Sequence, residues 1–346
     1  MGRMLKLMLR CLSLAYLIFK GLSFSLISKS RKFLCTSRLQ CRREIEIDLL
    51  SDYFTKLFRS EEFDHKIAPY FLDPHNVTLN YGPTSIINEP AEKLTLDMIN
   101  FDYKTNLKKI CRMFDDSNNF YRDKPLYVIN QGHGRGTTRI LEEIKMVVNK
   151  EPDCLAIAIT YGYDWALTTT EIKEIFAQLP PSKGLNEASD MIRVSKVFSV
   201  IIRMTAMLYG CSLAHAIQLY KRNLAIMPGV DYHMFDDVLV GFVKALVGEV
   251  RLAGRPVSKV LFLIDESALV RDVLKELATK DKPLHRDIWQ VIRDTLLGPD
   301  MLTHVKVTTG LVLATVDYST LGLEVTNRMF LPLVVPESNS QIRLSP

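Results

Sequence analysis

LYVINQGHGRGTTRILEEIKMVVNK (residues 126–150) decides the predicted fold, because it joins an apolar run, a glycine-rich segment and a helical pattern. The five apolar-rich residues at its start are typical of a buried strand, and residues 137–150 have helical spacing. Further strand candidates follow along the chain: CLAIAITYG (154–162), KVLFLIDE (259–266), VTTGLVLATV (307–316) and MFLPLVVP (329–336). Because strands that alternate with helices pair in parallel through crossover connections, the sequence predicts an α/β fold whose sheet is covered on both faces.

The sequence between the second and third strand candidates is largely helical. Apolar residues recur there at helical spacing in three segments: VSKVFSVIIRMTAMLYG (194–210), SLAHAIQLYKRNLA (212–225) and FDDVLVGFVKALVGEVRLAG (235–254). Two more helices are predicted near residues 268–279 and 285–297. We therefore expect a parallel-sheet core with a helical insertion between its second and third strand candidates.

Charge is distributed unevenly along the 346 residues, whose formal net charge is +5. Residues 1–43 contain ten of the 44 Lys and Arg residues and no Asp or Glu, so the rest of the chain has 34 basic and 39 acidic residues. A globally basic nucleic-acid-binding protein is therefore disfavoured. The composition predicts three regions, namely a basic leader (1–43), a helical N-terminal region (44–120) and the α/β domain (121–346).

The basic leader contains the apolar run CLSLAYLIF (residues 11–19), which Lys20 interrupts. This run is shorter than the roughly 20 residues that a membrane-spanning helix needs, so no stable span is expected. A signal peptide, an organellar transit peptide and an unstructured leader all remain open. The six cysteines form no C-x-x-C pair, which favours a reducing compartment such as the cytoplasm or nucleus, in a host cell if the leader directs secretion.

The glycine-rich segment lies between a strand candidate and a helix, where backbone N–H groups and the helix dipole favour anions. Phosphate-binding loops follow the pattern G-x-x-x-x-G-K-[ST], in which Gly136 matches the second glycine and Thr138 the final hydroxyl. Gln131 replaces the first glycine, and Thr137 stands at the lysine position. The candidate nucleotide-binding residues are Gly132, Gly134, Arg135, Gly136, Thr137 and Thr138. A plain tight turn is the alternative.

The strand candidate LFLIDE (261–266) ends in two acidic residues. On a strand beside a phosphate loop, Asp265 would bind Mg²⁺ together with Thr138, and Glu266 would activate the attacking water. The alternative is a buried strand that reaches solvent with two acids at its exit. If the first interpretation holds, strands LYVIN and LFLIDE are parallel members of one sheet, and the Thr138 hydroxyl lies within about one hydrated Mg²⁺ of the Asp265 carboxylate.

The order of these segments resembles the NTPase module of the Crinkler and retrotransposon-hot-spot proteins over about residues 100–340. The matching segments are the glycine-rich turn, IAITYGYDW (157–165), IIRMTAMLYG (201–210), LFLIDE and TTGLVLATVDYSTLGLEVTNRMFLPLVVP (308–336). The resemblance implies a P-loop NTPase-like core that uses Mg²⁺ and ATP, and Arg328 resembles an arginine that the family carries before its last core strand. Thr137 departs from the family, which has lysine at this position.

Because Thr137 cannot supply the missing ammonium group, we expect a nucleotide-binding protein whose ATP hydrolysis is weak or lost. A slow but active hydrolase remains open, so whether the chain is an enzyme is left undecided. The alternative is a catalytically inactive interaction scaffold on an α/β fold, with a protein partner that the sequence does not identify. An unrelated α/β protein with coincidental motifs is the third hypothesis.

Overall fold

The computed structural model describes residues 40–60, 66–72, 126–130, 137–162, 165–178, 187–228, 235–267, 288–315 and 330–332. The chain divides into two compact units, residues 1–46 and residues 47–346. Within the smaller unit, the described residues 40–46 are helical. The leader interpretations and the boundaries predicted after residues 43 and 120 stay predictions.

The described strands form one parallel sheet. They are β1 (Leu126–Asn130), β2 (Cys154–Thr160), β3 (Lys259–Asp265), β4 (Thr308–Thr315) and β5 (Phe330–Pro332). Their order across the sheet is β2-β3-β4-β1-β5, and every neighbouring pair is parallel. Each predicted strand segment contains one of these strands, so the predicted α/β fold with a parallel sheet is confirmed.

The described helices occur in the chain order that the sequence predicts. They are α1 (residues 40–58), α2 (Pro69–Leu72), α3 (Thr137–Asn149), α4 (Thr169–Gln178), α5 (Glu187–Tyr209), α6 (Leu213–Asn223), α7 (Phe235–Leu252) and α8 (Ile288–Leu296). Helices α4 to α7 lie between β2 and β3, which confirms the helical insertion. The helix predicted at 268–279 lies outside the described residues. Within the described ranges, no helix combines the length and the hydropathy that a membrane crossing requires.

The core is built on the two strands that carry the longest apolar runs. All seven residues of β2 are buried, and in β3 only Lys259 is partly exposed. Helix α3 packs against both strands, and α5 packs against β2. Strands covered on both faces read as continuous apolar sequence rather than as alternation, which is why both segments could be recognised.

Strand β2 stands at one end of the order of the described strands. The Asn149 side chain completes its hydrogen bonding. The Asn149 amide donates to the Ala156 carbonyl and accepts from the Ala156 N–H, both at 2.9 Å. Asn149 is 1% exposed, so these groups have little access to water. The amide thus replaces the backbone partner that a further strand would supply, and it fastens the end of α3 to the sheet.

Asn149→Leu should destabilise the protein by about 2–4 kcal/mol, because it leaves a buried N–H and a buried C=O of Ala156 without their partner. Asn223→Leu is the matched control, since the Asn223 side chain donates one hydrogen bond to the Leu219 carbonyl within its own helix. The control should cost about 1 kcal/mol or less. Urea denaturation measures both values, and equal losses would contradict the strand-completing role of Asn149.

Candidate functional site

The carboxyl ends of β1 to β4 lie along one edge of the sheet. Asn130 pairs with Thr315 at the ends of β1 and β4, and Thr160 pairs with Asp265 at the ends of β2 and β3. Strand β4 separates β1 from β3. Ligands of open α/β sheets bind outside the carboxyl ends of the strands, so this edge is where a site is expected.

The start of α3 contacts the end of β3 at this edge. The Thr138 hydroxyl donates a hydrogen bond of 2.6 Å to Oδ2 of Asp265, across 127 positions of sequence. The predicted geometry is therefore confirmed, because LYVIN and LFLIDE are parallel strands of one sheet and the two side chains meet. The contact joins the helix that follows the glycine-rich segment to the strand that carries the paired acids.

The side chain of Asp265 is buried, with 2% of its surface exposed, and burial disfavours its negatively charged form. Burial raises its pKa to about 6, and the negative charges of Glu266 and Glu142 act in the same direction. The hydrogen bonds from the Thr138 hydroxyl and from the Glu266 backbone N–H lower the pKa but do not cancel the effect of burial. A cation beside Asp265 would favour its ionised form, because opposite charges stabilise each other most where water is excluded.

Glu266 follows directly and has a left-handed backbone conformation, with φ of 51°. Glutamate rarely adopts positive φ, and residues held in such conformations concentrate at functional sites. The next residue fixes the bend, since both the N–H and the hydroxyl of Ser267 donate to the Ala314 carbonyl, at 3.1 and 2.9 Å. Glu266 is half-buried. Its charge raises the pKa of Asp265, so the two carboxyl groups are near each other.

A buried ion pair lies on α3 one turn beyond Thr138. The Lys145 ammonium is 2.6 Å from Oε2 of Glu142, and each side chain is 2% exposed. Sequence reasoning missed this pair, although its i, i+3 spacing on a helix was a usable signal. Glu142 raises the pKa of Asp265, so Lys145 offsets part of the negative charge near the site.

A second polar cluster that sequence reasoning missed lies beyond the end of β2. Arg203 of α5 is fully buried and forms a two-pronged ion pair with Glu171, with N–O distances of 2.9 and 3.1 Å. The signal was a single arginine in the apolar helical run VFSVIIRMTAMLYG (197–210). Buried arginines need a partner, which predicts a carboxylate but not which one.

The remaining predicted site residues are placed as follows. Gly132, Gly134, Arg135 and Gly136 lie outside the described residues, as does Arg328, and Thr137 is the first residue of α3. Among the described residues, no group of three or more His, Cys, Asp or Glu side chains could hold a metal ion. Magnesium at nucleotide sites takes one or two protein oxygens and completes its shell with phosphates and water, so Thr138 and Asp265 are a chemically suitable donor set.

Comparison with protein-family models, with curated proteins and with solved structures finds no match for this chain.

Asp265→Asn should stabilise the ligand-free protein by about 1–3 kcal/mol at pH 8, because it removes a buried charge. The folded-state pKa of about 6 lies above that of an unfolded aspartate. The folded state therefore binds more protons across this window, and wild-type stability falls as pH rises from about 4 to about 6. The advantage of Asp265→Asn should accordingly vanish below about pH 4.

Urea denaturation in EDTA between pH 4 and pH 8 measures this difference. Asp52→Asn, at an exposed position on α1, is the matched control and should show no such gain. A destabilised Asp265→Asn protein at pH 8 would contradict the assigned cost of the buried charge.

Proposed function

We propose that the chain binds a nucleoside triphosphate with Mg²⁺, ATP being the expected ligand, at the edge formed by α3 and β3, and that its hydrolysis is slow or lost. The observation that carries this proposal is the hydrogen bond between Thr138 and Asp265. Phosphate-binding loops bring together a hydroxyl at the start of a helix and an aspartate at the end of a strand, and both hold the metal of the nucleotide. The resemblance to the Crinkler and retrotransposon-hot-spot module stays a prediction.

The start of α3 is suited to phosphate. Helix α3 is 13 residues long, and its first turn contains no acidic residue that would repel an anion. The first four N–H groups of a helix have no partner within it, and the helix dipole adds partial positive charge there. These features support phosphate binding between the glycine-rich segment and Thr138.

Asp265 and Glu266 have different roles in the proposed site, metal binding for Asp265 and proton acceptance for Glu266. Magnesium, when bound, would neutralise charge on the phosphates, and Thr138 and Asp265 would hold it. Glu266 is half-buried and so keeps access to water, which suits a group that accepts the proton of an attacking water. The two acids are adjacent in sequence but differ in burial, which supports different roles for them.

Thr137 explains why turnover is expected to be slow. The lysine of phosphate-binding loops reaches the β- and γ-phosphates and offsets charge there. Threonine has no charge, and the nearby arginines of the sequence, Arg135 and Arg139, carry a planar fork rather than a compact ammonium group. We therefore favour weak binding with little hydrolysis over an efficient enzyme.

Thr137→Lys should tighten Mg-ATP binding by about 1–3 kcal/mol, roughly five- to 150-fold in Kd, because it adds one charge-assisted hydrogen bond. Glu266→Gln in that background should leave the Kd unchanged and abolish phosphate release, since it removes the proton acceptor and keeps the side-chain size. Calorimetric titration gives the Kd, and single-turnover phosphate release gives the rate.

Thr169→Lys is the matched control, because Thr169 is also the first residue of a helix, α4. It should not change Mg-ATP binding. If wild type, Thr137→Lys and the double variant all fail to bind Mg-ATP, the nucleotide proposal is wrong. The interaction scaffold on an α/β fold would then be the better hypothesis.

A further inference from the structure

The chain turns sharply after β2, directly beside the end of β3. The Tyr161 N–H donates to the Asp265 carbonyl at 3.3 Å, so the pairing of β2 with β3 extends one residue past the strand. The Gly162 N–H then donates to the Thr160 hydroxyl at 3.0 Å, and the Trp165 N–H donates to the Gly162 carbonyl at 3.0 Å. We call this feature the β2 turn, and its described residues are Tyr161, Gly162 and Trp165.

Gly162 lies against the side chain of Glu266. A Cβ atom at Gly162 would be 3.3 Å from Cγ of Glu266, closer than such atoms normally approach. Gly162 does not adopt the left-handed conformation that favours glycine, unlike Gly210 and Gly254. A side chain at position 162 would therefore press on Glu266 because of its size and not because of backbone strain, since the backbone of the β2 turn lies against Glu266.

Arg203 fixes both ends of the β2 turn. Its guanidinium carbon lies 4.6 Å from the centre of the Tyr161 ring, and its Nε donates to the Trp165 carbonyl at 2.9 Å. The ion pair with Glu171 and a hydrogen bond of 3.1 Å to the Ser199 carbonyl hold the guanidinium itself. The Tyr161 hydroxyl also bonds to the Ser199 hydroxyl at 3.0 Å. The helical insertion thus holds the turn through α4 and α5.

We propose that the β2 turn sets the position of the Glu266 carboxyl group, and that Arg203 is a positioning residue that acts through this turn. The inference deepens the proposed function and rests on it, since it concerns the group assigned there to water activation. Helices α4 and α5 contribute no proposed ligand of the nucleotide or the metal. Their role in the site is to hold the wall beside Glu266.

A thermal-unfolding cycle of wild type, Gly162→Ala, Glu266→Ala and the double variant tests the contact without any need for activity. Adding the methyl group should lower Tm or leave it unchanged where Glu266 is present. In the Glu266→Ala background the same change should raise Tm, because only the Thr160 hydroxyl remains near the new methyl group, at 3.4 Å, and alanine restricts the unfolded chain. The two effects should differ by at least about 2 °C. Equal effects in both backgrounds would overturn the proposal.

The same cycle in an Arg203→Lys background tests the positioning residue. Lysine keeps the charge but lacks the planar guanidinium group and its contacts with Tyr161 and the Trp165 carbonyl. The coupling between residues 162 and 266 is the difference between the two Tm effects of Gly162→Ala, and it should fall to within experimental error. Arg222→Lys, at an exposed position on α6, is the control and should leave the coupling intact. If Arg203→Lys does not fold, Glu171→Gln takes its place, because it weakens the hold on the guanidinium. If the coupling is undiminished, Arg203 is not a positioning residue for Glu266.

Single-turnover hydrolysis of Mg-ATP supplies the functional readout. In the Thr137→Lys background, Gly162→Ala should lower the rate about tenfold while Mg-ATP affinity stays within about twofold, because it displaces Glu266 and not the phosphates. Gly248→Ala is the matched control, since a Cβ there would meet nothing within 4 Å. Equal losses of rate and affinity would overturn the positioning role. Absence of Mg-ATP binding in wild type, in Thr137→Lys and in its double variant with Glu266→Gln would refute the proposed function, while the unfolding cycle would still decide whether the turn positions Glu266.

Discussion

The hydrogen bond from the Thr138 hydroxyl to the Asp265 carboxyl group is the contact on which the candidate site depends. It joins the first turn of α3 to the last residue of β3, and it partly offsets the cost of burying Asp265. Without this donor, the pKa of Asp265 would lie still further above its ordinary value. The same two oxygens are the ones that a metal ion at this edge would use. A single contact thus serves the stability of the ligand-free chain and the chemistry proposed for it.

The parallel pairing of β2 with β3 extends this arrangement to the helical insertion. Because Thr160 pairs with Asp265, the chain leaves β2 next to the paired acids, and the β2 turn packs against Glu266. Arg203 connects that turn to α4 and α5 through a fully buried ion pair. Losing one partner of such a pair leaves an uncompensated buried charge, which typically costs about 3–5 kcal/mol. This buried ion pair therefore holds the insertion to the β2 turn beside the site.

Much of the fold could be predicted from sequence, because its signals are local. The strands of a buried parallel sheet read as apolar runs, so β2 and β3 were recognised within one or two residues. The meeting of Thr138 with Asp265 was also predictable, because helices that follow parallel strands begin at the carboxyl edge of the sheet. The glycine-rich segment between Asn130 and Thr137 lies outside the described residues, so its predicted role as a phosphate cradle stays a prediction.

The features that sequence reasoning missed depend on contacts between distant segments. Nothing near Arg203 identifies Glu171 as its partner, since the two residues are 32 positions apart and belong to different helices. The exchange of hydrogen bonds between Asn149 and Ala156 depends on how α3 packs on the sheet. The left-handed conformation of Glu266 has no local signature either, because it occurs in a residue type that normally avoids it. Composition and periodicity report which faces are buried, but they do not report which polar groups meet there.

We propose that a metal-bound nucleotide occupies the edge where Thr138 and Asp265 meet. The decisive test is a crystal structure of the wild-type chain with Mg²⁺ and a non-hydrolysable ATP analogue. We expect phosphates at the start of α3 and a metal ion in contact with the Thr138 hydroxyl and the Asp265 carboxyl group. Two results from a crystal grown with saturating nucleotide would contradict this proposal. In the first, the nucleotide lies elsewhere. In the second, the hydrogen bond between Thr138 and Asp265 persists with no nucleotide beside it.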